Sequence, residues 1–144
     1  MNVSRSALLP FSARQIYQVI ADVRSYPLFL NWCDDMNVVS ESDGEMIAKL
    51  FISYGKLKFG FSTRNHMVEN QSVSMSLVDG PFSSLDGKWE IQSLGESACK
   101  VSLVMDFNFE SSLTQRLFGG VFKRVIAAQL DAFQKRANDL YGRA

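Results

Sequence analysis

The hydrophobic and polar positions along the chain change period twice. Between Ser12 and Val23 apolar residues recur at Ile16, Val19, Ile20 and Val23, the spacing of one helix face. From Met36 to Phe109 the period is about two, and after Ser111 it becomes helical again. The first segment, 3–9, reads as a strand stopped by Pro10. Ser12 is placed to cap a helix over 14–23, and Ser25-Tyr26-Pro27 leads into a second helical turn over 28–32. Turn-forming breaks then separate six predicted strands at 36–41, 45–53, 57–68, 72–78, 85–93 and 99–109. Links this short join antiparallel neighbours, so the strands form a meander.

Alternation assigns the faces. Leu57, Phe59, Phe61 and Thr63 share one side, and Lys56, Lys58, Ser62, Arg64 and His66 the other. Val73, Met75 and Leu77, then Leu85, Trp89 and Ile91, then Val101, Leu103, Met105, Phe107 and Phe109 continue the apolar face. A sheet with one apolar face needs a cover on that side only. The cover is a helix predicted over 113–141, capped by Ser111-Ser112, stopped by Gly142 and about 40 Å long. Its second half puts Ile126, Leu130, Phe133, Ala137 and Leu140 on one side. Its first half, Leu117-Phe118-Gly119-Gly120-Val121-Phe122, is apolar nearly all round, which calls for a partner on its outer face or an apolar cavity beside it. The reading is an α+β fold, one domain over residues 1–144. A seven-stranded curved antiparallel sheet wraps around a long C-terminal helix, two short helices follow the first strand, and sheet and helix leave a pocket between them.

Composition narrows the chemistry. The formal net charge is zero, with 15 Lys+Arg against 15 Asp+Glu, which argues against DNA as a partner. The cancellation hides segregation. The stretch 25–48 holds Asp34, Asp35, Glu41, Asp43 and Glu45 and no Lys or Arg, whereas 55–68 holds Lys56, Lys58 and Arg64 and no acid. Cys33, Cys99 and the single His66 form no metal-ligand spacing, so no metal is expected. The N-terminal segment lacks a secretory h-region, its apolar run being only Ala7-Leu8-Leu9 before Pro10, and no apolar run is long enough to span a membrane, so a cytoplasmic protein is expected. His66, Asp106 and Glu110 fall on the polar face, Asp79 caps a turn, and neither a nucleophile elbow nor a phosphate loop is present. No acid/base pair reaches the pocket, so a non-enzyme is expected.

Several segments together carry a family resemblance. They are Ser6-Ala-Leu-Leu-Pro10, Ala21-Asp-Val-Arg-Ser-Tyr-Pro27, Phe29-Leu30, Trp32-Cys33, Phe61-Ser-Thr-Arg-Asn65 and Asp79-Gly-Pro-Phe82. Leu85, Trp89, Phe107-Asn-Phe-Glu-Ser111, Gly120, Phe122, Ala132-Phe133, Arg136-Ala137 and Leu140-Tyr-Gly142 complete the set. The chain resembles the START-like, helix-grip superfamily of polyketide cyclases and lipid-transfer domains. More closely it resembles the coenzyme Q-binding family, whose bacterial branch includes the ribosome association toxin. The segment Asp34-Asp35-Met36-Asn37 departs from the family's pattern. The resemblance implies a hydrophobic tunnel for ubiquinone or a related polyprenyl lipid, held without a cofactor and supporting respiration. Its alternative implication is a protein that binds the large ribosomal subunit, blocks subunit joining and inhibits translation initiation.

The residues expected to line the tunnel are Trp32, Phe59, Phe61, Phe82, Trp89, Met105, Phe107, Leu117, Val121, Phe122 and Val125. Lys56, Lys58 and Arg64 are the expected ribosome-facing residues, since local charge steers partners even at zero net charge. A peripheral membrane contact for ligand exchange accompanies the lipid reading.

Overall fold

A computed structural model describes residues 1–142; Arg143 and Ala144, the last two positions of the predicted domain, lie outside the described residues. Strand β1 (Asn2–Leu9) ends at Pro10. Ser12 and Gln15 then form a reciprocal cap: the Gln15 backbone N–H donates to Ser12 Oγ at 3.1 Å, and the Ser12 N–H donates to Gln15 Oε1 at 3.0 Å. This starts α1 (Ala13–Ala21), which buries Ile16, Val19 and Ile20.

The second helix differs from expectation. A 3₁₀ turn (Val23–Ser25) runs into α2 (Tyr26–Phe29), and Leu30 is already extended at φ −100°, ψ 109°. Pro27 sits inside the first turn, where its missing N–H costs nothing, so the helix begins before the proline and not after it. Trp32 consequently stands in the turn before β2, outside any helix.

The six remaining strands are β2 (Cys33–Ser42), β3 (Glu45–Tyr54), β4 (Leu57–Val68), β5 (Ser72–Asp79), β6 (Phe82–Ser93) and β7 (Cys99–Phe109). All neighbours are antiparallel, in the order β1-β7-β6-β5-β4-β3-β2. β2 and β6 each begin three residues earlier than the alternation predicts. Both early starts carry a register shift, between Cys33 and Asp35 and between Phe82 and Ser84. A bulge at the strand start breaks the period-two signal that sequence reading depends on.

Helix α3 (Ser112–Tyr141) has 30 residues, so it runs about 45 Å. Ser111 Oγ caps it by accepting the Thr114 N–H at 3.0 Å. Phe122, Val125, Ile126, Leu130, Phe133 and Ala137 are buried against the sheet. Leu140, expected on that side, is 51% exposed, because in the last turns Ala137 and Tyr141 take the inward positions instead. The helix-grip α+β architecture is the one the sequence predicts. These segments place two aromatic clusters and one cavity between sheet and helix.

Candidate functional site

The apolar face of β4 carries Phe59, Phe61, Thr63, Asn65 and Met67 in alternate positions. Phe59 and Phe61 join Phe82, Phe107, Phe109, Phe118 and Phe122 in one packed cluster under the first half of α3. Phe122 is its hub, with ring centroids 4.8 Å from Phe107, 4.9 Å from Phe82 and 5.6 Å from Phe61. Most of these contacts are edge-to-face or tilted, as the aromatic quadrupole favours. At the other end Trp89, Tyr26 and Phe29 pack on Phe133.

Between the two clusters lies a cavity of about 70 Å³. At roughly 10–15 Å³ per water-sized occupant that is room for about five. Its walls come from α1 and the turn after it (Ile20, Ala21, Val23), from Tyr26 and Trp32, from the inner faces of β2 to β7, and from α3 (Phe122, Val125, Ile126, Gln129). Four of the six methionines, Met36, Met67, Met75 and Met105, line it. Unbranched thioether side chains change rotamer cheaply, so this wall can yield to a larger occupant.

Six of the expected lining residues reach the cavity: Trp32, Phe61, Trp89, Met105, Phe122 and Val125. Phe59, Phe82 and Phe107 do not, because the phenylalanine cluster fills its own interior. Leu117 is 50% exposed and Val121 half-buried, and neither borders the cavity. The all-round apolar pattern of the first half of α3 therefore resolves into a packed inner face and an outward stripe in which Leu113 is 63% exposed. Sequence reading missed the methionine-rich walls and three polar liners, Thr63, Asn65 and Gln129. The signal for Thr63 and Asn65 was the alternation in β4, which continues the phenylalanine face into them.

Among the described residues no Asp, Glu, Lys, Arg or His borders the cavity. Tyr26 is the one wall residue among the described residues with a proton that could titrate, and its buried hydroxyl donates to the Ile20 carbonyl. Burial first, then the charges of Asp22 and Cys33, holds that phenol far above its ordinary range. Beside Trp32, burial pushes the Cys33 thiol up to about 12, helped by Asp35 and Asp34. The described walls of the cavity are therefore apolar and amide in character, with one phenol held protonated.

The outer face of the sheet is cationic around β3 and β4. Lys56 projects from the β3–β4 turn, and Lys58 and Arg64 from the outer side of β4. Arg64 lies 3.8 Å from Glu45, an exposed pair worth little in water. Register adds a residue that sequence reading passed over: Lys49 sits on the same face, 5.4 Å from the centre of the Phe51 ring. A second cationic strip runs along α3, where Arg116, Lys123 and Arg124 are exposed and no acid occurs between Ser111 and Leu130.

A family model described as polyketide cyclase/dehydrase and lipid transport matches residues 9–134. The chain belongs to this family. Within it, 41% of positions are identical to the ribosome association toxin RatA of Escherichia coli K12, over 96% of this chain and 88% of that one. The Xenopus laevis mitochondrial coenzyme Q-binding protein COQ10 homolog B is 28% identical, over 97% of this chain and 59% of that protein. Among solved structures, the ZhuI aromatase/cyclase of Streptomyces sp. R1128 superposes with a TM-score of 0.85, covering 96% of this chain and 93% of its own, at 16% identity. That likeness concerns the fold. Among the described residues no helix is long and apolar enough to cross a membrane.

Proposed function

We propose that this protein associates with the ribosome, docking on the large subunit through the cationic outer face of β3 and β4. The observation that carries the reading is end-to-end similarity to RatA, at 41% identity. This reverses the order of the two functions read from sequence, where lipid binding came first. Lys49, Lys56, Lys58 and Arg64 supply positive charge on one exposed surface, the complement of a phosphate-rich partner. The test is co-sedimentation with purified large subunits. The unmodified protein pellets with them, and Lys56→Glu combined with Lys58→Glu stays in the supernatant. Equal pelleting of both would sink the assignment of this face.

The cavity supports a second reading, which is compatible with the first: the protein holds a neutral apolar molecule, of the isoprenoid quinone class. The methionine-lined space, the absence of charged walls and the similarity to COQ10 homolog B support it. Because the empty space is small, an occupant of that size must displace methionine side chains. On this reading the protein stores or shields its ligand and makes or breaks no bond. Organic extraction of purified protein recovers an isoprenoid quinone, and added quinone quenches Trp32 and Trp89. A clean extract with no quenching would rule the reading out.

A further inference from the structure

Within a cavity of apolar walls, the side chain of Asn65 is out of place. It is only 6% exposed, and its neighbour on the same strand face, Thr63, is 8% exposed. The Thr63 hydroxyl donates to Asn65 Oδ1 at 2.7 Å. That bond occupies the amide oxygen and orients the amide. Asn65 Nδ2 has no hydrogen-bond partner among the described residues; no buried side-chain nitrogen or oxygen among them is left unpaired, so Nδ2 meets accessible space, and the residue borders the cavity. An amide donor left unpaired at the wall of an otherwise apolar space can serve an acceptor that enters it. Gln129 borders the same space from α3 and carries a second amide.

We infer that Asn65 is a recognition group for the oxygen of a neutral, otherwise apolar ligand: a ketone, quinone or ester carbonyl. The inference rests on the second reading above, that the cavity takes an apolar molecule, and adds to it which atoms are read. Two N–H protons can bind an acceptor and cannot bind hydrocarbon. With no cation on the walls, a carboxylate or phosphate would lose its hydration without a counter-charge and is excluded from the interior. Thr63 is a positioning residue, since it touches Asn65 and fixes which end of the amide faces the space. A plain isoprenoid hydrocarbon would leave the Asn65 donors unpaired, so the site discriminates by an unmet hydrogen bond as well as by a made one.

The test uses the full chain and the neutral dye N-phenyl-1-naphthylamine, displaced by hexyl phenyl ketone or by hexylbenzene. Asn65→Leu weakens the ketone about tenfold and leaves hexylbenzene unchanged or tighter. Thr63→Val moves the ketone in the same direction by less. The unmodified protein needs no variant to speak: the infrared carbonyl stretch of the bound ketone falls below its value in hexane, as hydrogen bonding requires. Circular dichroism of Asn65→Leu serves as the structural control, with a spectrum like that of the unmodified protein even where the loss of the Thr63 partner lowers the midpoint. Equal changes for both compounds, or a bound carbonyl stretch like that in hexane, overturn the inference while the cavity reading stands. Failure of the unmodified protein to bind the dye and both compounds overturns the two together.

Discussion

Gly87, in the middle of β6, lies where Met105 needs to be. A Cβ built on Gly87 would stand 2.5 Å from Met105 Sδ and 3.0 Å from Met75 Cε, so the absent side chain is the space in which two cavity methionines lie. Gly87→Ala therefore pushes the Met105 and Met75 thioethers toward the cavity; these flexible ends give way cheaply, so stability should fall by no more than about 1 kcal/mol. Urea denaturation measures the loss. The saturating amount of bound neutral dye should fall along with it, since the displaced thioether has only the cavity to enter.

Phe122 and Leu117 sit five residues apart on α3 and should behave oppositely. Phe122 contacts the rings of Phe59, Phe61, Phe82, Phe107 and Phe109. Phe122→Ala should cost about 3–5 kcal/mol of folding free energy, by opening a void where the phenylalanine cluster adjoins the cavity. Leu117→Ala removes an exposed side chain and should stay within about 0.5 kcal/mol. Denaturant midpoints of the two variants side by side check both values.

The two thiols should be quiet at neutral pH. Burial raises both Cys33 and Cys99, Cys33 to about 12 from an ordinary 9.0. A raised thiol pKa means the unfolded chain loses its proton first. The Cys33 contribution to stability is therefore whole below about pH 9 and is lost as pH climbs from there toward about 12. Melting temperature should hold from neutral pH to about 9 and fall above it, less steeply in Cys33→Ala. Alkylation of the native protein by iodoacetamide at neutral pH should be far slower than that of the urea-unfolded chain.

Ribosome association through Lys49, Lys56, Lys58 and Arg64 should be steeply salt-dependent. Each phosphate contact releases a counterion, so affinity should fall by orders of magnitude between about 50 and 200 mM salt. Co-sedimentation across a potassium chloride series reads this directly. A flat response would point to an apolar contact surface in place of the cationic one.

The meander is legible in the sequence because its alternation runs unbroken through most strands and glycine or aspartate marks the turns. The long helix is legible from Ser111 and the spacing of Ile126, Leu130 and Phe133. The starts of β2 and β6 are hidden by their bulges, and the short helix by a proline that belongs inside it. The site is less legible than the fold, for a reason visible in Phe59 and Phe107. Period two says that a side chain faces inward; it does not say whether inward means a neighbour's ring or an empty space. That difference depends on where α3 crosses the sheet, which brings Phe122 onto the phenylalanines and leaves the methionines with unfilled volume. Lys49 was missed for a related reason, since its place beside Lys58 and Arg64 comes from cross-strand register.

The edge position of β1 has a kinetic consequence. Asn2 pairs with Asp106, 104 positions later, whereas each hairpin from β2 to β7 pairs residues close in sequence. As the chain is synthesised, the meander can zip from local contacts while its first strand waits unpaired for one of the last. The greasy concave face stays uncovered longer still, until α3 has been made. A chain halted at residue 111 would hold all seven strands and a bare apolar interior with nothing to cover it. Such a species is prone to stick to other chains, so the interval between finishing β7 and docking α3 is the stretch of this protein's biogenesis most exposed to aggregation.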